Sequence, residues 1–175
     1  MNKILTALLL VAHPVWTCLA SNGALENLRD LPLEFQNGVL KLSADNCEPD
    51  PERWYVAAKS TANEGAYRNI EMASGQILSS KPALGLFRSL GSNKPVSIYK
   101  IQFDSRDAFD LAQRYANANS KTIANASMSL TQQGEDAAPI WSVWCYAPNG
   151  TYFGLMQFLA TDGAVISNDA FPKKP

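Results

Sequence analysis

At 175 residues, with 15 Lys and Arg against 16 Asp and Glu and a formal net charge of −1, the chain has the size of one domain. It lacks the concentrated positive charge that nucleic acid or an anionic membrane surface requires, so neither is an expected partner. Its single histidine, His13, sits in an N-terminal stretch built like a secretory signal. The mature chain is therefore expected to hold none, which excludes Ser-His-Asp and Cys-His catalysis and His-ligated zinc.

That N-terminal stretch has a positive residue at Lys3, an apolar run over 4–12, the helix breaker Pro14, and small residues at Cys18 and Ala20. The pattern predicts cleavage after Ala20 and a secreted or periplasmic product. The run is too short to cross a bilayer, which takes ~20 residues, and no later segment is a candidate. Lipid attachment at Cys18 is the alternative; the bulky Trp16 beside it argues against that processing. Loss of Lys3 takes the formal net charge from −1 to about −2.

Residues 21–32 read as a polar linker or a single helical turn, 33–171 as one domain and 172–175 as a tail. Over 33–43, Asn37-Gly38 stands between apolar residues and predicts a small hairpin or two short edge strands. The run 46–53, with Pro49 and Pro51, predicts a loop. Strands are predicted at 54–60 and 67–73, joined by a turn at Asn63-Glu64-Gly65, with Gly75 turning the chain into a third at Gln76-Ile77-Leu78. Residues 82–91 read as a short helix or packed loop, and 96–103 as a strand.

Asp104-Ser105 supplies a helix cap, and Asp107 suits the positive end of the helix dipole. A helix over about 105–119 follows, with Ala108, Phe109, Leu111, Ala112, Tyr115 and Ala116 on one face. Strands are then predicted at 122–132, 140–146, 151–160 and 164–167. The expected fold class is α+β: an antiparallel sheet of meanders and hairpins with one main helix packed on it.

Taking Asn149-Gly150 as a two-residue hairpin turn pairs Tyr146 with Phe153, Cys145 with Gly154, Trp144 with Leu155 and Trp141 with Phe158. One face then carries Trp141, Val143, Cys145, Met156 and Phe158. The other carries Trp144, Tyr146, Phe153 and Leu155, with Ser142 and Gln157 at its polar end. That second face is covered by further core, or else Trp144, Tyr146 and Phe153 form a recognition surface.

Two cysteines survive cleavage, Cys47 and Cys145. An oxidising compartment predicts a disulfide between them; two separate thiols are the alternative. The acids Asp104, Asp107, Asp110, Glu135, Asp136 and Asp162 are scattered over caps and turns and show no EF-hand spacing, so no metal site and no cofactor is expected. Asn125-Ala126-Ser127 and Asn149-Gly150-Thr151 match the glycosylation sequon, although Asn149-Gly150 is explained by a turn.

Trp54-Tyr55-Val56, Tyr67 and Ala73-Ser74-Gly75-Gln76-Ile77 echo Trp141-Ser142-Val143, Tyr152 and Thr161-Asp162-Gly163-Ala164-Val165; from Trp to turn Gly the spacing is 21 residues in the first and 22 in the second. A helix, a strand, Trp-x-Val and a strand closing in Asp-Gly-x-Val-Ile resembles the PepSY domain and its relatives, clearest over 105–167, with 54–79 as a partial first copy. The resemblance implies a helix on an antiparallel sheet, an extracytoplasmic location, and a role in binding or restraining another protein, peptidase inhibition being proposed for the family. It brings no catalytic residues.

The function expected is therefore a non-enzymatic binding module for an extracytoplasmic protein or peptide. Two alternatives stand beside it: a small hydrolase using paired carboxylates, and a structural component of an envelope assembly that offers strand edges.

Overall fold

A computed structural model describes residues 23–63, 66–83, 90 and 92–175; the stretch expected to be a signal, most of 82–91, and residues 64 and 65 of the turn expected at 63–65 lie outside the described residues. Alternating apolar and polar residues build eight strands: β1 (Val39–Cys47), β2 (Trp54–Lys59), β3 (Tyr67–Ala73), β4 (Gln76–Pro82), β5 (Asn125–Thr131), β6 (Ile140–Tyr146), β7 (Tyr152–Leu159) and β8 (Val165–Asn168). They form one antiparallel sheet in the order β4-β3-β2-β1-β5-β6-β7-β8. Two four-stranded meanders thus meet at a central β1–β5 seam.

Three helices are described: α1 (Ala24–Arg29), α2 (Leu33–Gln36) and α3 (Ser105–Ala118). The protein is mostly β with some helix, rather than a sheet with a single helix. Among the described residues no helix is long and apolar enough to cross a membrane.

The seam has a two-fold character. Ser43 lies opposite Ser129, and counting outward from this pair gives Tyr55, Glu71 and Ser79 on one side and Ser142, Gln157 and Ser167 on the other. Trp54 and Trp141, one residue before Tyr55 and Ser142, thereby hold equivalent places. The echo read in the sequence is a repeat of position in the sheet.

One face of the sheet is core. Ile70, Val56, Leu42, Leu130, Trp141 and Phe158 form one row across it, each opposite the next. All six are almost fully buried. Helix α3 lies over β6 and buries Ala108, Phe109, Ala112, Tyr115 and Ala116, as its apolar spacing predicts. Asp104 caps it and Asp107 completes the capping box. A Schellman-type end follows: the Lys121 N–H reaches the Ala116 carbonyl at 2.9 Å and Ser120 takes positive φ.

Several sequence expectations are corrected. Of the two readings of 21–32, the described part follows the helical one rather than the linker: α1 and the turn after it bury Ala24, Leu28 and Leu31 in the core. Asn37-Gly38 makes no hairpin. Residues Leu33–Gln36 close a helical turn that sends Phe35 inward, Asn37 caps it, and a Cβ on Gly38 would come within 1.8 Å of the Lys59 carbonyl.

Residues 96–103 contain no strand. Val96 hydrogen-bonds to Val39, a 3-10 turn spans Ile98–Lys100, and Gln102 and Phe103 both donate to the Ala160 carbonyl. Nor is the C-terminus a free tail, since the Asn119 side chain accepts from the Lys173 N–H and donates to its carbonyl.

Candidate functional site: the open face of the sheet

Helices α1, α2 and α3 send their buried residues into the core on one face of the sheet, and on the second face Leu90 is the described helical residue, beside β1–β3. Period-two alternation makes this second face: the residues between the buried ones on each strand point the other way. Its middle row runs Ser79, Glu71, Tyr55, Ser43, Ser129, Ser142, Gln157, Ser167 across all eight strands. Gln157 donates to the Ser142 hydroxyl at 3.1 Å, and Glu71 accepts from Ser79 at 3.2 Å and pairs with Arg53. The Arg53 hydrogen bond, ahead of that from Ser79, holds the Glu71 carboxyl below the usual carboxylate range.

On the β5–β8 half apolar side chains flank this polar row on both sides. Trp144 stands between Ser127 and Leu155, and Ile140 lies opposite Leu159; all four of the larger side chains are half-buried. Tyr146 packs on Tyr152 with ring centroids 5.6 Å apart. Partial desolvation first, then Asp169 and Tyr146, push the Tyr152 phenol above its ordinary value.

The equivalent places on the β1–β4 half carry different chemistry. Ala57 stands where Trp144 does, Lys59 where Tyr146 does, and Asn69 where Leu155 does. On the helix-facing side Trp54 and Val56 match Trp141 and Val143, while Ala44 and Ala58 stand where Leu130 and Cys145 do. Sequence reasoning found the apolar half through its aromatic hairpin and missed the polar half, although the alternation of Leu40, Leu42 and Ala44 with Lys41, Ser43 and Asp45 was there to be read.

Phe153 leaves the group. The chain Ala147-Pro148-Asn149-Gly150 makes a type I turn followed by Gly150 at φ +78°, with the Gly150 N–H on the Ala147 carbonyl at 2.9 Å. Pro148 takes the first turn position, so the two-residue turn expected at Asn149-Gly150 does not form. The expected pairs hold from Trp141 to Cys145, and then a bulge sets Tyr146 opposite Tyr152. Phe153 thereby packs edge-on against the core residue Phe171, with the Lys121 ammonium 4.8 Å from its ring centre. Trp144 and Tyr146 remain together on the open face.

No family model matches the chain, and neither a curated protein nor a solved structure is similar to it. The site therefore rests on its own geometry.

The disulfide expected between Cys47 and Cys145 is not formed. Both residues lie opposite Ala126, Cys47 from β1 and Cys145 from β6, with β5 between them. Two strand spacings put their backbones about 10 Å apart, beyond the ~7 Å that a disulfide spans. Burial, ahead of nearby carboxylates, pushes both thiols up to about 12.

Four of the six acids singled out in the sequence, Asp104, Asp107, Asp162 and Glu135, are engaged locally. Asp104 accepts from the Ser105 N–H at 2.7 Å and from the Leu25 N–H at 3.2 Å, so it caps α3 and α1 together. Asp107 accepts from the Asp104 N–H, Asp162 from the Ala164 N–H, and Glu135 pairs with Lys94. Among the described residues no three His, Cys, Asp or Glu side chains converge as a metal site would require.

Proposed function

We propose that this chain is a non-enzymatic extracytoplasmic binding module, PepSY-like in kind, that holds or restrains a peptidase or another extracytoplasmic protein through the open face of its sheet. The observation that carries this reading is the half-buried apolar group of Trp144, Tyr146, Leu155 and Ile140 together on the β5–β8 half of the face turned away from α3. Flat aromatic and aliphatic surface of this kind favours protein recognition.

The test is affinity capture from extracytoplasmic extract with the wild-type chain and with a Trp144→Ser, Tyr146→Ser variant of verified fold. A partner held only by the wild type supports the reading, and its identity separates inhibitor from assembly component. Equal capture by both, or none, removes the open face as the site.

A second reading, a component of an envelope assembly joined by strand addition, is favoured by the sheet's edges. The outermost strands each expose an apolar pair, Ile77 and Leu78 on β4 and Val165 and Ile166 on β8. In that case a Leu78→Lys, Ile166→Lys variant loses the partner and the Trp144, Tyr146 variant keeps it.

A further inference from the structure

The polar half of the open face carries a charge pattern of its own. Lys81, Asn69, Ala57, Lys41, Thr131, Ile140 and Leu159 form a continuous row, each opposite the next. Lys41 and Lys81 border a groove of about 400 Å³ that also includes Ser43, Tyr55, Asn69 and Glu71, with Leu90 at its side. Its one carboxylate, Glu71, is already engaged by Arg53 and Ser79. Lys59, further along β2, points to the same side. None of these three lysines forms an ion pair with a described carboxylate, whereas Lys94 nearby is paired with Glu135.

A groove with two ammonium groups, neutral hydrogen-bonding side chains and a neutralised carboxylate suits an incoming carboxylate. The apolar group lies on the same face at a fixed offset. From Lys41 to Trp144 is two strands across and four residues along, about 10 Å by 13 Å. The diagonal of about 16 Å is what an extended chain covers in about five residues.

We infer that the open face takes an extended acidic segment of a partner protein, with its Asp or Glu side chains on Lys41 and Lys81 and an apolar side chain about five residues away on Trp144 and Leu155. The inference rests on the proposed use of this face and adds the chemistry of what binds there. Charge complementarity favours a polypeptide over a purely apolar partner, and the strand spacing sets the distance between its two anchors.

The experiment is selection of random 16-residue peptides displayed on phage against the full chain, run in parallel on a Lys41→Glu, Lys81→Glu variant and on the Trp144→Ser, Tyr146→Ser variant. Circular dichroism and thermal midpoints verify the fold of each. The expected outcome is enrichment of peptides with Asp or Glu four to six residues from an aromatic or large aliphatic residue. Synthetic versions should bind the wild type at least tenfold more tightly than either variant, and the charge variant should select Lys or Arg in place of the acids.

Peptides lost on the Trp144, Tyr146 variant but without acidic enrichment, or bound equally by the charge variant, overturn this inference and leave the face as a binding site. Failure to enrich any peptide sensitive to Trp144 and Tyr146 overturns both.

Discussion

Trp54 and Trp141 lean toward each other across the β1–β5 seam until their ring centroids are 6.2 Å apart, with the planes tilted by 56°. The contact ties the two meanders together on the helix side. The Trp141 indole also donates to the Phe103 carbonyl at 2.8 Å, fixing the approach to α3.

Replacing either tryptophan by Ala should cost about 3–5 kcal/mol in chemical denaturation, since each is fully buried. A double-mutant cycle should show coupling of about 0.5–1.5 kcal/mol. Trp144→Ser, three residues along the same strand but on the open face, should cost about 1 kcal/mol or less. A loss at Trp144 equal to that at Trp141 would mean that the second face is core.

Thiol titration of the denatured, unreduced protein should find both Cys47 and Cys145 reactive, while the native protein resists the same reagent near neutral pH. Their folded values of about 12 lie above the ordinary 9.0, so each thiol holds its proton more tightly when folded. Their contribution to stability is complete below pH 9 and is lost as pH rises toward 12. Replacing both by Ala should flatten the alkaline limb of the stability profile.

Gly154 sits at φ +142°, and a Cβ there would come within 2.6 Å of Ala170 Cα and 2.7 Å of Asp169 Oδ1. Gly154→Ala should therefore destabilise by about 2–4 kcal/mol through backbone strain and the displaced 169–171 segment. Thermal unfolding measures it, and a neutral result would show that the segment can move aside.

Asp104 serves two helix starts, so Asp104→Ala should cost about 1–3 kcal/mol, more than a single exposed cap. Burial, ahead of its hydrogen bonds, holds the carboxyl above the ordinary 3.8. Its titration therefore favours the fold most below that value and contributes less as pH rises through the folded one. Comparing Asp104→Asn with wild type between pH 3 and 7 isolates this slope, with the wild type gaining relative stability toward the acid end.

Strand positions in the C-terminal half were legible because Ile140–Tyr146 and Tyr152–Leu159 are runs of seven and eight residues rich in aromatic and aliphatic side chains, bounded by turn residues.

 The capping box of α3 was legible for the same local reason. Residues 33–38 were not, because an Asn-Gly between apolar residues carries the same signal whether it closes a hairpin or ends a helical turn. Only the demand of the core for Phe35 decides between them. The turn at Pro148 likewise shows the proline outweighing the Asn-Gly dipeptide, and the resulting bulge moved Phe153 to the other side of the sheet. Which strand neighbours which across the seam is a long-range fact with no local signature. That is why the separation of Cys47 from Cys145 by β5 could not be read from their spacing.

The seam also sets the order in which the sheet can form. Every other strand pairing joins neighbours in the chain, whereas β1–β5 joins residues 39–47 to residues 125–131. Closing that loop is the entropically costly step, so the meanders assemble quickly and the seam forms late. Until it does, each half presents an open inner edge. Because those edges are related by a two-fold turn about Ser43 and Ser129, the edge of one chain fits that of another. Refolding at high concentration should accordingly yield dimers with exchanged halves, and dilution should suppress them.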